Sequence, residues 1–255
     1  KDEEGEKLTS LLEKNKIDAG YMLFSDERVT TNKIRIIGRN QQMMRLDAEY
    51  IHDLEKNEEQ KFIKLIEKYI AEIKPHVIIL EDYNKGILTE SIIKKVIDLC
   101  NVKKIICAVD PKRKNFFAFK NITLFKPNLK EVKESLHILS EDVNEKMLSE
   151  IHQQLKEKLN HYISLITLSD KGMFYEDESD SKIIPSHLRN VADVSGAGDT
   201  VIAVASLVYA ATKNIELTAE IANIAGGLVC EEVGTAAINK QKLLEECKIL
   251  LDKSL

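Results

Sequence analysis

Apolar and polar residues repeat along this chain with two periods, one typical of helices and one typical of strands. Residues 6–15 and 57–73 carry their apolar side chains at helical spacing, so both stretches are predicted to form amphipathic helices. Residues 28–47 alternate between apolar and polar positions, which predicts extended structure.

From residue 76 onwards, short apolar runs alternate with helical patterns. The predicted strands are residues 76–80, 104–109, 123–126 and 162–167, and the predicted helices are residues 90–101, 128–138 and 141–160. A hairpin is predicted from residues 173–175 and 182–184, and three mainly helical segments close the chain. Such alternation implies a mostly parallel central sheet covered by helices on both faces. We therefore expect an α/β fold, arranged as one domain over residues 1–255.

A glycine-spaced loop at residues 193–199, D-V-S-G-A-G-D, precedes an apolar, alanine-rich run at 201–211 that predicts a buried helix. Gly196 and Gly198 permit positive φ and Ala197 adds only a methyl group, so the N–H groups of residues 196–199 could converge on developing negative charge. Asp199 would repel a bound phosphate, but it could accept a proton from a substrate hydroxyl. This glycine loop therefore suggests phosphoryl transfer, with an ordinary turn and an Asp helix cap as the alternative.

Polar loops follow four of the predicted strands in turn. They lie at residues 82–86, 110–112, 128–131 and 169–172. Ligands of parallel sheets bind beyond the carboxyl ends of the strands, so we expect these loops to lie at one edge and to line one site.

Four cations, Lys33, Arg35, Arg39 and Arg45, all stand at odd-numbered positions. Alternate residues of a strand share a face, so an extended stretch could bring some of these cations to one face. Arg binds phosphate through two parallel hydrogen bonds, so such a face would suit a phosphorylated substrate. The alternative is a solvated strand face. Lys85 is a further candidate for substrate or phosphate contact, with an ordinary loop lysine as the alternative.

Composition narrows the function classes. The net charge of −5 tells against a general nucleic-acid binder. The apolar runs are too short to span a membrane, and no signal peptide is visible. The four cysteines form no C-x-x-C pair, so we expect reduced, mostly buried thiols in a cytoplasmic protein. The six histidines lack metal-ligand spacing.

The stretch D-V-S-G-A-G-D-T resembles the C-terminal signature of the ribokinase-like (PfkB) carbohydrate kinases. Five earlier stretches also resemble this family and occur in the same order as in its members. They are residues 31–47, 81–86, 109–112, 126–131 and 167–172. R-N-Q-Q-x-x-R-L-D and D-Y-x-K-G are similar to the kinase domain of the heptose-7-phosphate kinases that feed ADP-heptose synthesis. The resemblance spans nearly the whole chain and implies a ribokinase-like three-layer fold.

The resemblance also implies a nucleotide site. Asn128, Leu129, Lys130 and Glu131 would contact the ATP phosphates, with Glu131 ordering Mg²⁺ through water; the alternative is a helix-capping box. Ser169, Lys171 and Gly172 would lie near the same phosphates, although the family usually has Gly in place of Ser169. Asn223 and Gly234 would enclose the adenine and ribose, and the neighbourhood of Asp193 can contribute to a monovalent-cation site.

Two glycines, Gly226 and Gly227, interrupt the predicted helix at residues 218–231, where each costs about 1 kcal/mol relative to Ala. Close packing against a neighbouring helix or against the nucleotide would explain them. For Asn223, in the same helix, the alternative is a buried polar residue.

These implications favour a homodimeric, ATP- and Mg²⁺-dependent kinase that phosphorylates the anomeric hydroxyl of D-glycero-D-manno-heptose 7-phosphate, with Asp199 as the base. A kinase for another sugar or a nucleoside, and a catalytically silent nucleotide-binding module, are the alternatives. The chain opens at Lys1 without a preceding strand, so we expect it to lack an N-terminal segment of the family. No H-x-G-H motif occurs, so no adenylyltransferase domain is expected in it.

Overall fold

The computed structural model describes residues 1–38, 41–140, 142–187 and 189–251, without the side chains of Ile37, Gln41 and Gln42. The chain forms two compact units: Lys1–Lys74 with Asn84–Val96, and Pro75–Tyr83 with the residues from Ile97 onwards. Across the described ranges, no helix is both long enough and apolar enough to cross a bilayer.

The first unit contains two helices and a hairpin. Its elements are α1 (Glu3–Lys14), β1 (Asn32–Gly38), β2 (Gln41–Ala48) and α2 (Lys56–Ile73). The two strands pair antiparallel, which confirms the extended structure predicted for this region, and α2 confirms the amphipathic helix predicted at 57–73. The pairing places Lys33 opposite Asp47 and Arg35 opposite Arg45, so these four side chains share one face of the hairpin.

The second unit is built on a six-stranded sheet in the order β3-β4-β5-β6-β7-β8. The strands are β3 (Val77–Glu81), β4 (Ile106–Asp110), β5 (Leu124–Phe125), β6 (Ile163–Thr167), β7 (Met173–Glu176) and β8 (Ser181–Ile184). The first four are parallel, and β7 and β8 add the predicted hairpin antiparallel to β6. The expected mostly parallel sheet is therefore confirmed, and the carboxyl ends of its parallel strands meet at one edge.

Helices cover this sheet on both sides. They are α3 (Glu90–Lys103), which begins in the first unit, α4 (Leu129–Leu136), α5 (Glu145–Leu159), α6 (Ala197–Thr212), α7 (Ile215–Val229) and α8 (Lys240–Leu251). Every residue of β4 and β7 is buried, as expected for strands with a covering layer on each face. On one face the alternate residues Ala108 and Leu165 join a core with Ala205 and Ala222 of α6 and α7.

Several predicted boundaries shift for local reasons. β4 starts two residues later than predicted, because Lys104 adopts a left-handed conformation and the N–H of Ile105 donates to Cys100 O at the end of α3. Asn144 caps α5, so this helix starts at Glu145 rather than at residue 141. All four cysteines are free, and Cys100 and Cys107 are buried.

The two glycines of α7 have different neighbours. A Cβ at Gly226 would lie 2.8 Å from Val201 Cγ2 of α6, which confirms close packing against a neighbouring helix. A Cβ at Gly227 would lie 2.7 Å from Nε of Arg189. Both positions therefore exclude a side chain because another side chain occupies the space.

Candidate active site

The glycine loop turns directly into α6. Gly196 has φ +83° and forms the N-cap, so α6 begins at Ala197 and Asp199 lies in its first turn rather than in the loop. Gly198 is helical and lacks a positive φ, contrary to our expectation. A Cβ at this position would lie 3.7 Å from Lys126 Nζ and 3.8 Å from Asp110 Oδ2, at ordinary van der Waals distance, so Gly198 stands beside both side chains.

Asp193 holds the other end of the loop. Its Oδ1 accepts a hydrogen bond from the Ser195 N–H at 2.9 Å, and its Oδ2 accepts one from the Gly234 N–H at 3.2 Å. Asp193 therefore caps the loop and connects it to the segment that follows α7.

The start of α6 leaves backbone donors free for a ligand. The Thr200 N–H donates to Gly196 O at 3.0 Å and the Ala197 N–H donates to Val194 O at 3.3 Å. Among the residues that the structure describes, the N–H groups of Gly198 and Asp199 have no acceptor. Free N–H groups at a helix start attract anions, so this turn is suited to phosphate.

Asp199 belongs to a carboxylate cluster with Glu81 and Asp110. One oxygen from each of the three lies within 4.8 Å of the others. The Tyr83 hydroxyl donates a hydrogen bond to Asp199 Oδ1 at 2.7 Å, and the Glu81 carboxyl also hydrogen-bonds to Asp199. Glu81 and Asp110 are cross-strand partners at the ends of β3 and β4, and α6 packs against both strands. The sheet edge thus brings the cluster together.

The cluster changes the acidity of its neighbours. Partial burial and the adjacent Asp199 and Asp110 carboxylates raise the pKa of Glu81 to about 7. Burial and the same Asp199 carboxylate raise the pKa of the Tyr83 hydroxyl well above its usual range. Near neutral pH, Glu81 is therefore protonated for part of the time, and in that form it donates a hydrogen bond to Asp199.

Two lysines connect the cluster to the start of α4. Lys126 Nζ lies 3.0 Å from Asp110 Oδ2, and its side chain is 3% exposed. Lys112 Nζ lies 3.5 Å from Asp110 Oδ1 and 2.6 Å from Glu131 Oε1. The ion pairs of Lys112 therefore link Asp110 of the carboxylate cluster to Glu131 of α4.

The Asn128–Glu131 stretch forms the capping box that we weighed as an alternative. Asn128 Oδ1 accepts from the Glu131 N–H, and Glu131 Oε2 accepts from the Asn128 N–H, both at 2.9 Å. Leu129 is half-buried and Lys130 is exposed in the first turn of α4. With Oε1 on Lys112, both oxygens of Glu131 have protein partners, so any role in ordering Mg²⁺ through water stays a prediction.

The Ser169–Gly172 turn lies next to this stretch, because Asn128 forms a parallel bridge with Thr167 at the end of β6. Ser169 has φ +59°, a left-handed conformation that explains why a glycine would suit its position. Gly172 has φ +97°, and a Cβ there would lie 2.0 Å from Ile184 O, so this glycine is required by packing. Lys171 is exposed.

The two residues predicted to enclose the adenine and ribose have partners within the protein. Asn223 Nδ2 donates to Pro185 O at 2.9 Å, and its side chain is half-buried rather than buried. Gly234 donates to Asp193, which places it beside the glycine loop.

The predicted substrate cations lie in the first unit, and acidic residues hold them. Lys33 Nζ and Lys85 Nζ approach the same oxygen of Glu49, at 3.3 and 2.5 Å. Arg45 Nε lies 2.9 Å from Asp47 Oδ1. Arg35 faces Arg45 across the hairpin, whereas Arg39 lies outside the described residues.

Five residues that complete this region were given no individual role by sequence reasoning, although three of them lie in loops expected to line the site: they are Glu81, Tyr83, Asp110, Lys112 and Lys126. All five stand at or just after the end of a predicted strand, and this position is the signal that could have identified them. The oxygens of the carboxylate cluster fit a divalent cation such as Mg²⁺, which prefers oxygen ligands. Within the described part of the chain, the buried Asp110 Oδ1 receives no hydrogen bond, which supports this fit.

The sequence as a whole matches a known family over residues 1–242, described as pfkB family carbohydrate kinase. The chain belongs to this family. The family is one of carbohydrate kinases, so this membership indicates phosphoryl transfer to a sugar hydroxyl.

Three curated relatives of this pfkB family member are similar to it in sequence. It is 37% identical over 238 residues to bifunctional protein HldE of Aliarcobacter butzleri, covering 93% of this chain and 49% of the relative. The HldE proteins of Sulfurimonas denitrificans and Helicobacter pylori are each 34% identical to it, over 99% of this chain and 52 and 53% of their own lengths. The chain thus spans about half the length of the curated relatives it matches.

Solved structures share its fold. Phosphofructokinase-2 from Escherichia coli in complex with potassium gives a TM-score of 0.81 at 16% identity, covering 96% of this chain and 78% of that one. Ribokinase from Arabidopsis thaliana, complexed with ribose and ATP, gives 0.76 at 14% identity with the same two coverages. The pfkB chain therefore has the ribokinase-like fold.

Proposed function

We propose that this chain transfers the γ-phosphoryl group of ATP to the anomeric hydroxyl of D-glycero-D-manno-heptose 7-phosphate, and so forms the 1,7-bisphosphate used for ADP-heptose and lipopolysaccharide core synthesis. The cationic face of the β1–β2 hairpin, with Lys33, Arg35 and Arg45, is the main support. A neutral sugar or a nucleoside would not need these cations, whereas an acceptor that already carries a phosphate would. The identity to relatives named HldE supports the same assignment.

The acceptor phosphate would relieve a repulsion within the hairpin. Arg35 and Arg45 lie directly opposite each other, and like charges in that position destabilise a strand pair. A phosphate oxygen can accept hydrogen bonds from both guanidinium groups. Lys33 and Lys85, which share Glu49, would add positive charge nearby.

Asp199 would act as the base. The Tyr83 hydroxyl, which donates to its Oδ1, would orient the carboxylate to accept the proton of the sugar hydroxyl. The free N–H groups of Gly198 and Asp199 would stabilise the charge on the transferring phosphoryl group. Since this group passes through a loose transition state, a carboxylate is a sufficient base.

The nucleotide would lie along the edge of the second unit. We assign the ATP phosphates to the stretch Asn128–Glu131 and to Ser169, Lys171 and Gly172, and the nucleoside to Asn223 and Gly234. Mg²⁺, held by the carboxylate cluster, would neutralise phosphate charge when bound. A monovalent cation near Asp193 belongs to the same proposal.

We further propose a homodimer. The face of the hairpin opposite the cations exposes Ile34, Ile36, Met44 and Leu46, each between 43 and 53% accessible. A two-stranded sheet is marginal alone and is stabilised by a packed apolar face, which a second copy would supply. In light scattering the wild type should have the mass of a dimer, and Leu46→Lys should have the mass of a monomer. A monomeric wild type would contradict the proposed homodimer.

A coupled assay of ADP release tests the reaction. The protein, with any neighbouring segments of its gene, is offered heptose 7-phosphate, fructose 6-phosphate, ribose and adenosine. Heptose 7-phosphate should be preferred, Asp199→Asn should lower kcat about 100-fold or more, and Arg35→Ala or Arg45→Ala should raise KM for the sugar phosphate more than for ATP. Lys14→Ala, an exposed cation at the end of α1, serves as the control.

The same assay separates the alternatives. Preference for ribose or adenosine would indicate a kinase for another sugar or nucleoside. Binding of ATP without turnover of any acceptor would indicate a silent nucleotide-binding module.

A further inference from the structure

Arg189 is a buried cation that joins two separate elements. Its side chain is 8% exposed, Nη1 lies 3.0 Å from Glu231 Oε1, and Nη2 lies 3.0 Å from Glu246 Oε2. Glu231 stands in the segment after α7, and Glu246 lies on α8. One guanidinium group therefore ties both to the segment that precedes the glycine loop.

The surroundings of Arg189 are adapted to it. Gly227 of α7 leaves the space that the arginine fills, since a Cβ there would lie 2.7 Å from Nε and 2.9 Å from Cδ. Lys242 adds a second cation at 3.0 Å from Glu231 Oε2, and these two cations lower the pKa of the Glu231 carboxyl. A buried charge needs such partners, because removing one leaves the other uncompensated.

The segment that Arg189 holds also contacts the glycine loop. Cys230 O accepts hydrogen bonds from the N–H groups of Ala192 and Asp193, at 2.8 and 3.2 Å. The Gly234 N–H donates to Asp193, and Thr235 Cγ2 lies 3.4 Å from where a Cβ of Gly196 would stand. Residues 231–235 are thus fixed at one end by Arg189 and at the other by the loop.

We propose that Arg189, through Glu231, is a positioning residue that holds residues 231–235 against the glycine loop and thereby sets the affinity for the nucleotide. This inference rests on the proposed function, because it takes the loop and Gly234 as part of the nucleotide site. The second partner of Arg189, Glu246, lies on α8.

The two partners of Arg189 supply a matched pair of variants. Glu231→Gln and Glu246→Gln each remove one ion pair with the same guanidinium group, so a merely structural role of Arg189 predicts similar losses in both. Because Glu231→Gln also loses its ion pair with Lys242, Lys242→Gln is the control for that second loss and should leave the Kd for ADP within about twofold. We expect Glu231→Gln to raise the Kd for ADP and the KM for ATP about tenfold, a size typical of indirect coupling. Glu246→Gln should leave both within about twofold, and neither should change the KM for the sugar.

Calorimetric titration with ADP measures the nucleotide affinity of both variants, and urea unfolding measures their stability. Equal effects on ADP affinity, or none, would overturn the proposal. Hydrogen exchange provides a readout that does not depend on nucleotide: amides of residues 231–235 should lose protection in Glu231→Gln and keep it in Glu246→Gln, and equal protection would also overturn it. If the wild type binds no ADP, the proposed function fails, while hydrogen exchange still tests whether Glu231 positions the segment.

Discussion

Replacing Glu81 with Gln removes one of three carboxylates that the sheet edge forces together. Gln keeps the size of the side chain and its capacity for a hydrogen bond to Asp199, but it carries no charge. Because Glu81 has a pKa of about 7 in the folded protein against an ordinary 4.5, the folded state holds its proton more tightly than the unfolded state. The substitution therefore tests whether the cluster costs stability.

The sign follows from the proton balance. Between pH 4.5 and 7 the folded chain binds more protons at this site, so the free energy of unfolding falls as pH rises through this range and stays reduced above it. A rise from 4.5 to about 7 corresponds to roughly 3 kcal/mol at full strength. Since the side chain is in part exposed, solvent screening reduces this to about 1 kcal/mol.

Urea unfolding at pH 5 and pH 8, with a chelator present, measures the effect. Glu81→Gln should match the wild type at pH 5 and exceed its free energy of unfolding by about 1 kcal/mol at pH 8. Glu245→Gln, on the exposed side of α8, is the control and should show no such pH dependence. A variant that is less stable than the wild type at pH 8, or shifted equally at both pH values, would refute the reasoning.

Four further outcomes follow from particular contacts. Tyr83→Phe removes the hydrogen bond to Asp199 and should lower kcat about fivefold with KM for ATP unchanged, which steady-state kinetics measures; unchanged kcat would exclude a role for the hydroxyl. Ser169→Gly should raise the free energy of unfolding by about 0.5 kcal/mol, because Ser169 has a left-handed φ. Gly226→Ala should lower it by about 1 kcal/mol, because the added Cβ would crowd Val201 between α6 and α7. Urea unfolding measures both changes. Burial lowers the pKa of His152 to about 4, so wild-type stability should fall as pH drops from 6.5 towards 4, and His152→Gln should flatten that slope in the same assay.

Local patterns were sufficient for most of the fold. Apolar periodicity identified the sheet strands and the order of the helices, since each signal lies within a few consecutive residues. The ends of helices and strands were harder to predict, because single residues such as Gly196, Lys104 and Asn144 set them through backbone conformation or capping. The shift of Asp199 from the loop into the first turn of α6 is the most important of these corrections.

The site was predicted in part. The glycine loop and the Asn128–Glu131 stretch have compact motifs, and the structure joins them through Asp110 and Lys112. We expected that an extended stretch could bring some of the cations of residues 33–45 to one face, and the hairpin register places Lys33, Arg35 and Arg45 there. Their acidic partners, Asp47 and Glu49, were not foreseen, because an ion pair depends on side-chain direction across the hairpin.

The sequence by itself determined the family, the alternation of strands and helices, and the glycine-spaced loop that leads into a buried helix. These features depend on neighbours in the chain, so they can be read from short stretches. Only the tertiary structure decided that Glu81, Asp110 and Asp199 share one small volume, and that Arg189 connects Glu231 to Glu246. Those contacts join residues far apart in the chain, and strand order, register and helix packing bring them together.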